Sequence, residues 1–165
     1  MFSCVFSSGI HGIDCFFVRV EADISDGMPI FDLVGYLSGE VREARERVRT
    51  ALRNAGFQFP VKRITVNLSP GNIRKHGTGF DLPMAVSILA AMGEIKTEAL
   101  EQTLIVGELM LNGMVAGING ILPMVLKARE IGFKKCIVPM ENVKEAGMVS
   151  DIEIVGVKTV QISLT

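Results

Sequence analysis

The sequence predicts an α+β fold in which helices pack on a mixed sheet. Segments with strand-like patterns and segments with helical spacing of apolar residues follow one another without strict alternation. The chain has 165 residues and is 48% hydrophobic, which suffices for a sizeable core without disulfide or metal support. No repeat, low-complexity tract or linker divides it, so we expect residues 1–165 to form a single domain.

The N-terminal part of the chain predicts strands and one amphipathic helix. The first two strands are rich in β-branched and aromatic residues and are joined by a predicted turn, SSGIHG. Apolar residues recur at helical spacing over residues 39–56, with Ser38 as N-cap and Gly56 after the helix end. In order, the predicted strands are 2–7, 13–22 and 29–37.

A glycine-rich turn leads from a further predicted strand, 63–68, into a central helix. Residues 82–92 are apolar on nearly every side, which predicts a helix enclosed by the core. We expect Asp81 to cap the first N–H groups of this helix and Pro83 to preset its first turn. The preceding HGTG turn lacks the Gly-Lys-Ser/Thr ending of a P-loop, which disfavours phosphate binding.

The C-terminal part predicts a hairpin followed by helices and strands. Asn112 and Gly113 lie between two apolar runs of residues 103–118, and both residues tolerate the positive φ of a type I′ turn. Residues 119–132 predict a helix with Pro123 in its first turn. The remaining predicted elements are a strand at 134–140, a short helix at 141–147 and a strand at 151–157.

Composition and charge exclude several functional classes. The formal net charge is −1, so no overall field of one sign attracts the chain to nucleic acid or to a membrane. The odd number of cysteines, Cys4, Cys15 and Cys136, argues against disulfides and zinc and favours a reducing cytoplasmic location. Charged Asp14 and Arg19 interrupt the apolar N-terminal residues, so we expect neither a signal peptide nor a membrane span.

Basic side chains form a stripe on one side of the predicted helix 39–56 and cluster in two places after it. Such residues can neutralise phosphates, although neighbouring glutamates leave open the alternative of a solvated face held by ion pairs. The nearby aromatic residues Phe57, Phe59 and Phe80 are expected to belong to the core. The candidate nucleic-acid contacts are Arg42, Arg45, Arg49, Arg53, Lys62, Arg63, Arg74 and Lys75.

Two long segments are similar to a known family. They are GYLSGEVREARERVRTALRNAGFQFPVKRITVNLSPGNIRKHGTGFDLPMAVSILAAMGEI and LIVGELMLNGMVAGINGILPMVLKAREIGFKKCIVPMENVKEA, which together cover most of the chain. They resemble the N-terminal domain of the ComM/YifB family of magnesium-chelatase-like AAA+ ATPases. The resemblance implies the α+β sandwich of the Lon proteolytic domain, which a small-subunit ribosomal protein shares in its second domain.

The resemblance to Lon also implies where a peptidase dyad would lie. A Lon-type peptidase uses a serine before the central helix and a lysine after the late hairpin, and these positions correspond to Gly79 and Leu122. Glycine has no nucleophile and leucine has no proton to move. We therefore expect no peptidase activity, although a displaced dyad that uses Thr78 and Lys127 is an alternative.

Other expectations come from the family as a whole. Walker motifs are absent from these residues, so ATP and magnesium are expected only for an AAA+ module of a longer parent protein, and no cofactor for this chain. The resemblance implies DNA and the chain's own AAA+ module as partners, in a homo-hexamer that acts in recombination, branch migration or natural transformation. The chain is then an excised N-terminal domain. A magnesium-chelatase-like role in metal insertion is the other alternative.

Overall fold

A computed structural model describes residues 1–162 of the chain. Its main sheet has seven strands, and a separate sheet has two. The strands are β1 Phe2–His11, β2 Asp14–Ser25, β3 Ile30–Val34, β4 Arg63–Ser69, β5 Thr103–Ile105, β6 Glu108–Leu109, β7 Val115–Ala116, β8 Lys135–Pro139 and β9 Glu153–Val157. The α-helices are α1 Gly39–Arg42, α2 Ala44–Asn54, α3 Asp81–Ala91, α4 Ile121–Ile131 and α5 Val143–Ala146, and short 3₁₀ turns span Thr97–Leu100 and Met140–Asn142.

The main sheet is mixed, as the sequence predicts. Its strand order is β3-β4-β2-β1-β5-β8-β9. β2 pairs antiparallel with both β1 and β4, whereas the β3–β4, β1–β5, β5–β8 and β8–β9 pairs are parallel. The prediction of a mixed sheet with packed helices is confirmed.

Two hydrophobic clusters hold the helices on the sheet. The larger cluster joins α2 and α3 to β2 and β4, and every residue of α3 is buried. The smaller cluster joins α4 and α5 to β5 and β8, and the Phe133 ring packs edge-on with Phe6 and tilted on Phe17. Within β8, Cys136 and Ile137 belong to different clusters, because successive side chains of a strand point to opposite faces of the sheet.

The turn between β1 and β2 is much shorter than the sequence predicts. Only Gly12 and Ile13 lie outside the two strands, whereas the prediction assigned the turn to the whole of SSGIHG. Ser7 and Ser8 are 0% and 3% exposed and belong to β1. The pattern failed here because serine and glycine favour turns in general, while in this strand they pack in the interior.

The predicted helix 39–56 forms as α1 and α2, which are separated only by Glu43. Ser38 caps it as predicted, because its Oγ accepts a hydrogen bond from the Val41 N–H at 3.3 Å. The buried side of α2 includes Val48 and Leu52, and its opposite side is charged. An amphipathic helix at this position is confirmed.

The predicted hairpin is present, but the prediction of its turn type is wrong. β6 and β7 pair antiparallel, and the Gly113 N–H donates to the Met110 carbonyl at 3.0 Å. Gly113 has φ +90°, whereas Asn112 has no positive φ, so a type I′ turn is excluded. Instead, the Asn112 Oδ1 accepts a hydrogen bond from the Met114 N–H at 3.0 Å. Residues 103–105 of the predicted hairpin form β5 in the main sheet.

No helix within residues 1–162 has the length and the hydrophobicity that crossing a membrane requires.

Alanine at Gly113 should destabilise the chain more than alanine at Gly12. Both glycines have positive φ, so each substitution carries a backbone cost of about 1–2 kcal/mol. A Cβ at Gly113 also lies 3.1 Å from the Ala55 Cβ, whereas a Cβ at Gly12 meets nothing within 4 Å. Urea denaturation should therefore show a larger loss of unfolding free energy for Gly113→Ala. Equal losses would mean that the hairpin tip does not pack closely on α2.

Candidate nucleic-acid interface

Asp81 joins three separate segments of the chain. Its side chain is fully buried and accepts hydrogen bonds from Arg47 Nε at 2.7 Å and Arg47 Nη2 at 3.0 Å. It also accepts a hydrogen bond from the Leu109 N–H at 3.1 Å. The carboxylate therefore links α3 to α2 and to β6.

The predicted role of Asp81 as a helix cap is wrong. Phe80 occupies the N-cap position, and no side chain caps the helix. The first N–H groups of α3 are used by backbone carbonyls instead, since Asp81 N donates to Thr78 O at 3.2 Å and Leu82 N to Gly107 O at 2.9 Å. The Asp81 carboxylate is thus free to pair with the two-pronged Arg47 guanidinium, a stronger partner than a neutral N–H.

Burial and pairing act in opposite directions on this carboxylate. Burial raises the pKa of Asp81, while the Arg47 guanidinium and the Leu109 N–H oppose that rise. The hydrogen bond to Asp81 also raises the pKa of Arg47. The pairing therefore favours the charged forms of both groups.

The Gly-Thr-Gly turn is hydrogen-bonded to α1 beside the Arg47–Asp81 pair. Arg47 Nη2 donates to the Glu40 carbonyl at 2.8 Å, and the Glu40 Oε1 accepts a hydrogen bond from the Gly77 N–H at 2.6 Å. Sequence reasoning assigned no role to Arg47 or Glu40. The only local signal was their presence among many charges of one helix, and their partners lie far along the chain.

A cavity of about 350 Å³ lies at the same turn. Gly79 lines it, and a Cβ built on Gly79 would be 3.6 Å from Ile118 Cδ1, so a small side chain would fit there. The Ile118 N–H donates a hydrogen bond to Asn142 Oδ1, and Asn142 Nδ2 donates one to the Ile118 carbonyl, both at 2.9 Å, so the Asn142 amide holds Ile118 in place. Leu122, the second position that corresponds to the Lon dyad, is half-buried against the smaller core cluster. Thr78 supplies a hydroxyl to the lining.

The helical basic stripe lies on the charged side of α1 and α2. Arg42, Arg45 and Arg53 are exposed and Arg49 is half-buried. Glu46 partly neutralises the stripe, because its Oε1 lies 3.4 Å from Arg49 Nη1 and 3.9 Å from Arg45 Nε. The alternative interpretation of the stripe is a solvated face held by ion pairs. Such pairs are present at two of the four arginines, Arg45 and Arg49.

Part of the stripe lines a groove, which we call the basic groove. It has a volume of about 250 Å³ and includes Arg49, Arg53, Lys62, Phe31 and Phe59. The Arg49 guanidinium lies over the Phe31 ring at 5.8 Å and over the Phe59 ring at 5.9 Å, and the Arg53 guanidinium lies over the Phe59 ring at 5.8 Å. Phe59, which we expected in the core, is half-buried and forms a wall of this groove. Phe57 is also half-buried, whereas Phe80 is in the core as predicted.

The remaining predicted contacts lie outside the basic groove. Arg63 and Arg74 are exposed, but Arg63 alternates with buried Ile64 and so points away from the helices. Lys75 is 0% exposed, and its Nζ donates a hydrogen bond to the Pro70 carbonyl. Burial also lowers the pKa of Lys75. The prediction that Lys75 contacts nucleic acid is therefore wrong, because its ammonium group faces the protein.

Replacing Arg47 should leave a buried charge without its partner. We expect Arg47→Met to cost about 3–5 kcal/mol of unfolding free energy near neutral pH. Arg47→Met combined with Asp81→Asn should be more stable than the single variant, because it removes the charge and retains an acceptor for Leu109. Urea denaturation of both variants measures the difference.

The loss of unfolding free energy in the Arg47→Met variant should also depend on pH. Without Arg47, the Leu109 N–H is the remaining hydrogen bond that opposes burial, so the pKa of Asp81 rises further and the folded state binds a proton more tightly than the unfolded state. Stability relative to the double variant should then fall as the pH rises above about 4, the ordinary pKa of an aspartate. A difference that does not change with pH would mean that Asp81 does not depend on Arg47 for its charged form.

Comparisons with known proteins place the chain among its relatives. The family model described as subunit ChlI of Mg-chelatase matches residues 20–142. The chain is 40% identical to the uncharacterized protein Rv2897c of Mycobacterium tuberculosis, 42% to competence protein ComM of Haemophilus influenzae and 36% to the uncharacterized protein YifB of Escherichia coli.

These matches cover most of the chain but only part of each relative. They extend over 93%, 89% and 90% of this chain, and over 31%, 29% and 29% of the three relatives, in the same order. The chain thus spans about a third of the length of the curated relatives it matches. It belongs to the family of subunit ChlI of Mg-chelatase and, within it, to the N-terminal domains of the ComM and YifB group.

Proposed function

We propose that this chain is a non-proteolytic accessory domain of a ComM/YifB-type AAA+ ATPase that acts on DNA, and that it engages DNA through the basic groove. The observation that carries the proposal is the position of Arg49 and Arg53, whose guanidinium groups are held on aromatic rings beside Lys62. A similar sequence is named competence protein ComM, which supports a role in natural transformation. The proposal includes recombination and branch migration as the DNA processes that the family resemblance implies.

The chemistry of the basic groove favours phosphate. A guanidinium presents N–H donors in a planar fork that matches phosphate oxygens, and one that already rests on a ring loses less conformational freedom on binding. Within residues 1–162, no carboxylate lies within 4.0 Å of Arg53, so its charge is available to a ligand. Exposed Arg42 and Arg45 extend the positive charge along the same side of the helices.

The motor activity belongs, in this proposal, to other parts of a longer protein. ATP and magnesium would bind an AAA+ module. The domain formed by this chain would contribute to the assembly of a homo-hexamer in the cytoplasm or to the binding of DNA by that hexamer. We also assign the chain the Lon-type α+β sandwich. Among residues 1–162, no group of three His, Cys, Asp or Glu side chains is arranged to hold a metal ion, so the alternative of metal insertion rests on the description of the matching family model.

The absence of peptidase activity is part of the proposal. The positions that correspond to the Lon dyad hold Gly79 and Leu122, which supply neither a hydroxyl nor an amine. Thr78 and Ser8 carry hydroxyl groups among the residues that line the cavity, and Thr78 is the one next to Gly79 in the chain. A covalent fluorophosphonate probe should therefore leave the chain unlabelled. Labelling that disappears in Thr78→Val would support a displaced dyad instead.

Charge reversal at Arg53 should weaken DNA binding. Fluorescence anisotropy with labelled DNA should show affinity that falls with salt between about 50 and 200 mM, with a log–log slope near −0.9 for each neutralised phosphate. Arg53→Glu should lower the affinity about tenfold or more and reduce that slope by about 1, because one phosphate contact is lost.

Lys134→Glu is the matched control for this experiment. Lys134 is exposed and follows α4, which packs in the smaller core cluster. The basic groove lies elsewhere, because α2 and Phe59 pack in the larger cluster. Lys134→Glu therefore makes the same change of charge as Arg53→Glu, but outside the basic groove. Equal effects of the two substitutions would mean that DNA binding depends only on the overall charge of the chain. The absence of binding at low salt would refute the DNA-engaging role.

A further inference from the structure

The two arginines of the basic groove are not equivalent. Arg49 contacts both aromatic rings and also lies 3.4 Å from the Glu46 carboxylate. Arg53 contacts only the Phe59 ring, is exposed, and has no carboxylate partner within residues 1–162. The Arg53 guanidinium therefore lies within cation–π distance of Phe59, and the exposed side chain is accessible to a ligand.

The shape of the basic groove favours an unpaired strand. Pro29 and Pro60 join the two phenylalanines and the cations in its walls, and the enclosed volume is about 250 Å³. A duplex keeps its base faces stacked inside and presents a convex row of phosphates, so it can meet only the rim of a groove this small. An unpaired base has both faces free and can stack on an aromatic ring or on a guanidinium plane.

We infer that the basic groove binds an unpaired nucleic-acid strand, with one base stacked on the outer face of the Arg53 guanidinium. Arg53 then lies between the Phe59 ring and the base. Arg49 and Lys62, at the sides of the groove, exchange their carboxylate partners Glu46 (3.4 Å) and Asp26 (3.3 Å) for the phosphates next to that base. This inference rests on the proposed function, to which it adds the form of the nucleic acid and the role of a single side chain.

Arg53→Lys separates stacking from charge. Lysine retains the positive charge for phosphate contacts but lacks the planar guanidinium. The probes are a fluorescent oligothymidylate, an oligonucleotide of the same length made of abasic units, and a duplex of that length. The chain should bind oligothymidylate about tenfold more tightly than the abasic strand, which is the order of one stacked base. Arg53→Lys should remove that preference, because its loss of affinity for oligothymidylate should be much larger than its loss for the abasic strand or the duplex.

A pair of phenylalanine variants provides the second measurement. Phe59→Leu removes the ring that supports Arg53, and it should lower the preference for oligothymidylate over the abasic strand. Phe57→Leu is the matched control, because Phe57 is also half-buried but lines a different cavity, with Leu89 and Ile95. The unfolding midpoint of each variant shows whether it is folded.

The outcomes distinguish this inference from the proposed function. Salt-dependent binding of all three probes with equal affinity would overturn the stacked base and leave the DNA-engaging domain intact. An equal loss for oligothymidylate and the abasic strand in Arg53→Lys would also overturn it. Failure to bind any of the probes at low salt would overturn the proposed function, and the stacked base with it.

Discussion

The ion pair between Arg47 and Asp81 is the contact on which the rest of this arrangement depends. A helix as apolar as α3 is buried on every side, so the charge at its N-terminus must find partners inside the protein. Those partners come from α2 and from the Leu109 N–H, which means that three distant segments must meet at one carboxylate. Because Arg47 lies on the same helix as Arg49 and Arg53, the pair also fixes the rotation of α2 that turns those arginines towards the aromatic rings.

The arginines of α2 consequently have different roles although they look alike in the sequence. Arg47 is a buried structural partner, and Arg49 is shared between Glu46 and two rings. Arg53 carries a positive charge that no carboxylate of residues 1–162 neutralises. Under the proposed function, a salt-bridged, solvated face and a ligand-binding face occupy the same helix, and the two interpretations of the stripe apply to different side chains.

Patterns within one segment predicted most of the fold, and contacts between segments account for what they missed. The amphipathic helix, its Ser38 cap and the central apolar helix follow from local spacing. The burial of Lys75, the partner of Asp81 and the position of Phe59 depend on residues far away in the chain, and no local pattern reports them. At the candidate interface, sequence alone identified Arg49, Arg53 and Lys62, but it could not indicate that they share a groove with two phenylalanines.

The two-residue turn at Gly12 and Ile13 bears on how the chain acquires its structure during synthesis. β1 and β2 pair through a very short loop, so little entropy is lost when they close, and β4 adds to β2 within the first 69 residues. The other edge of β1 pairs with β5, which begins only at Thr103. While the nascent chain grows, β1 therefore has one paired edge and one open edge, and the open edge is the surface that other chains or chaperones would meet first.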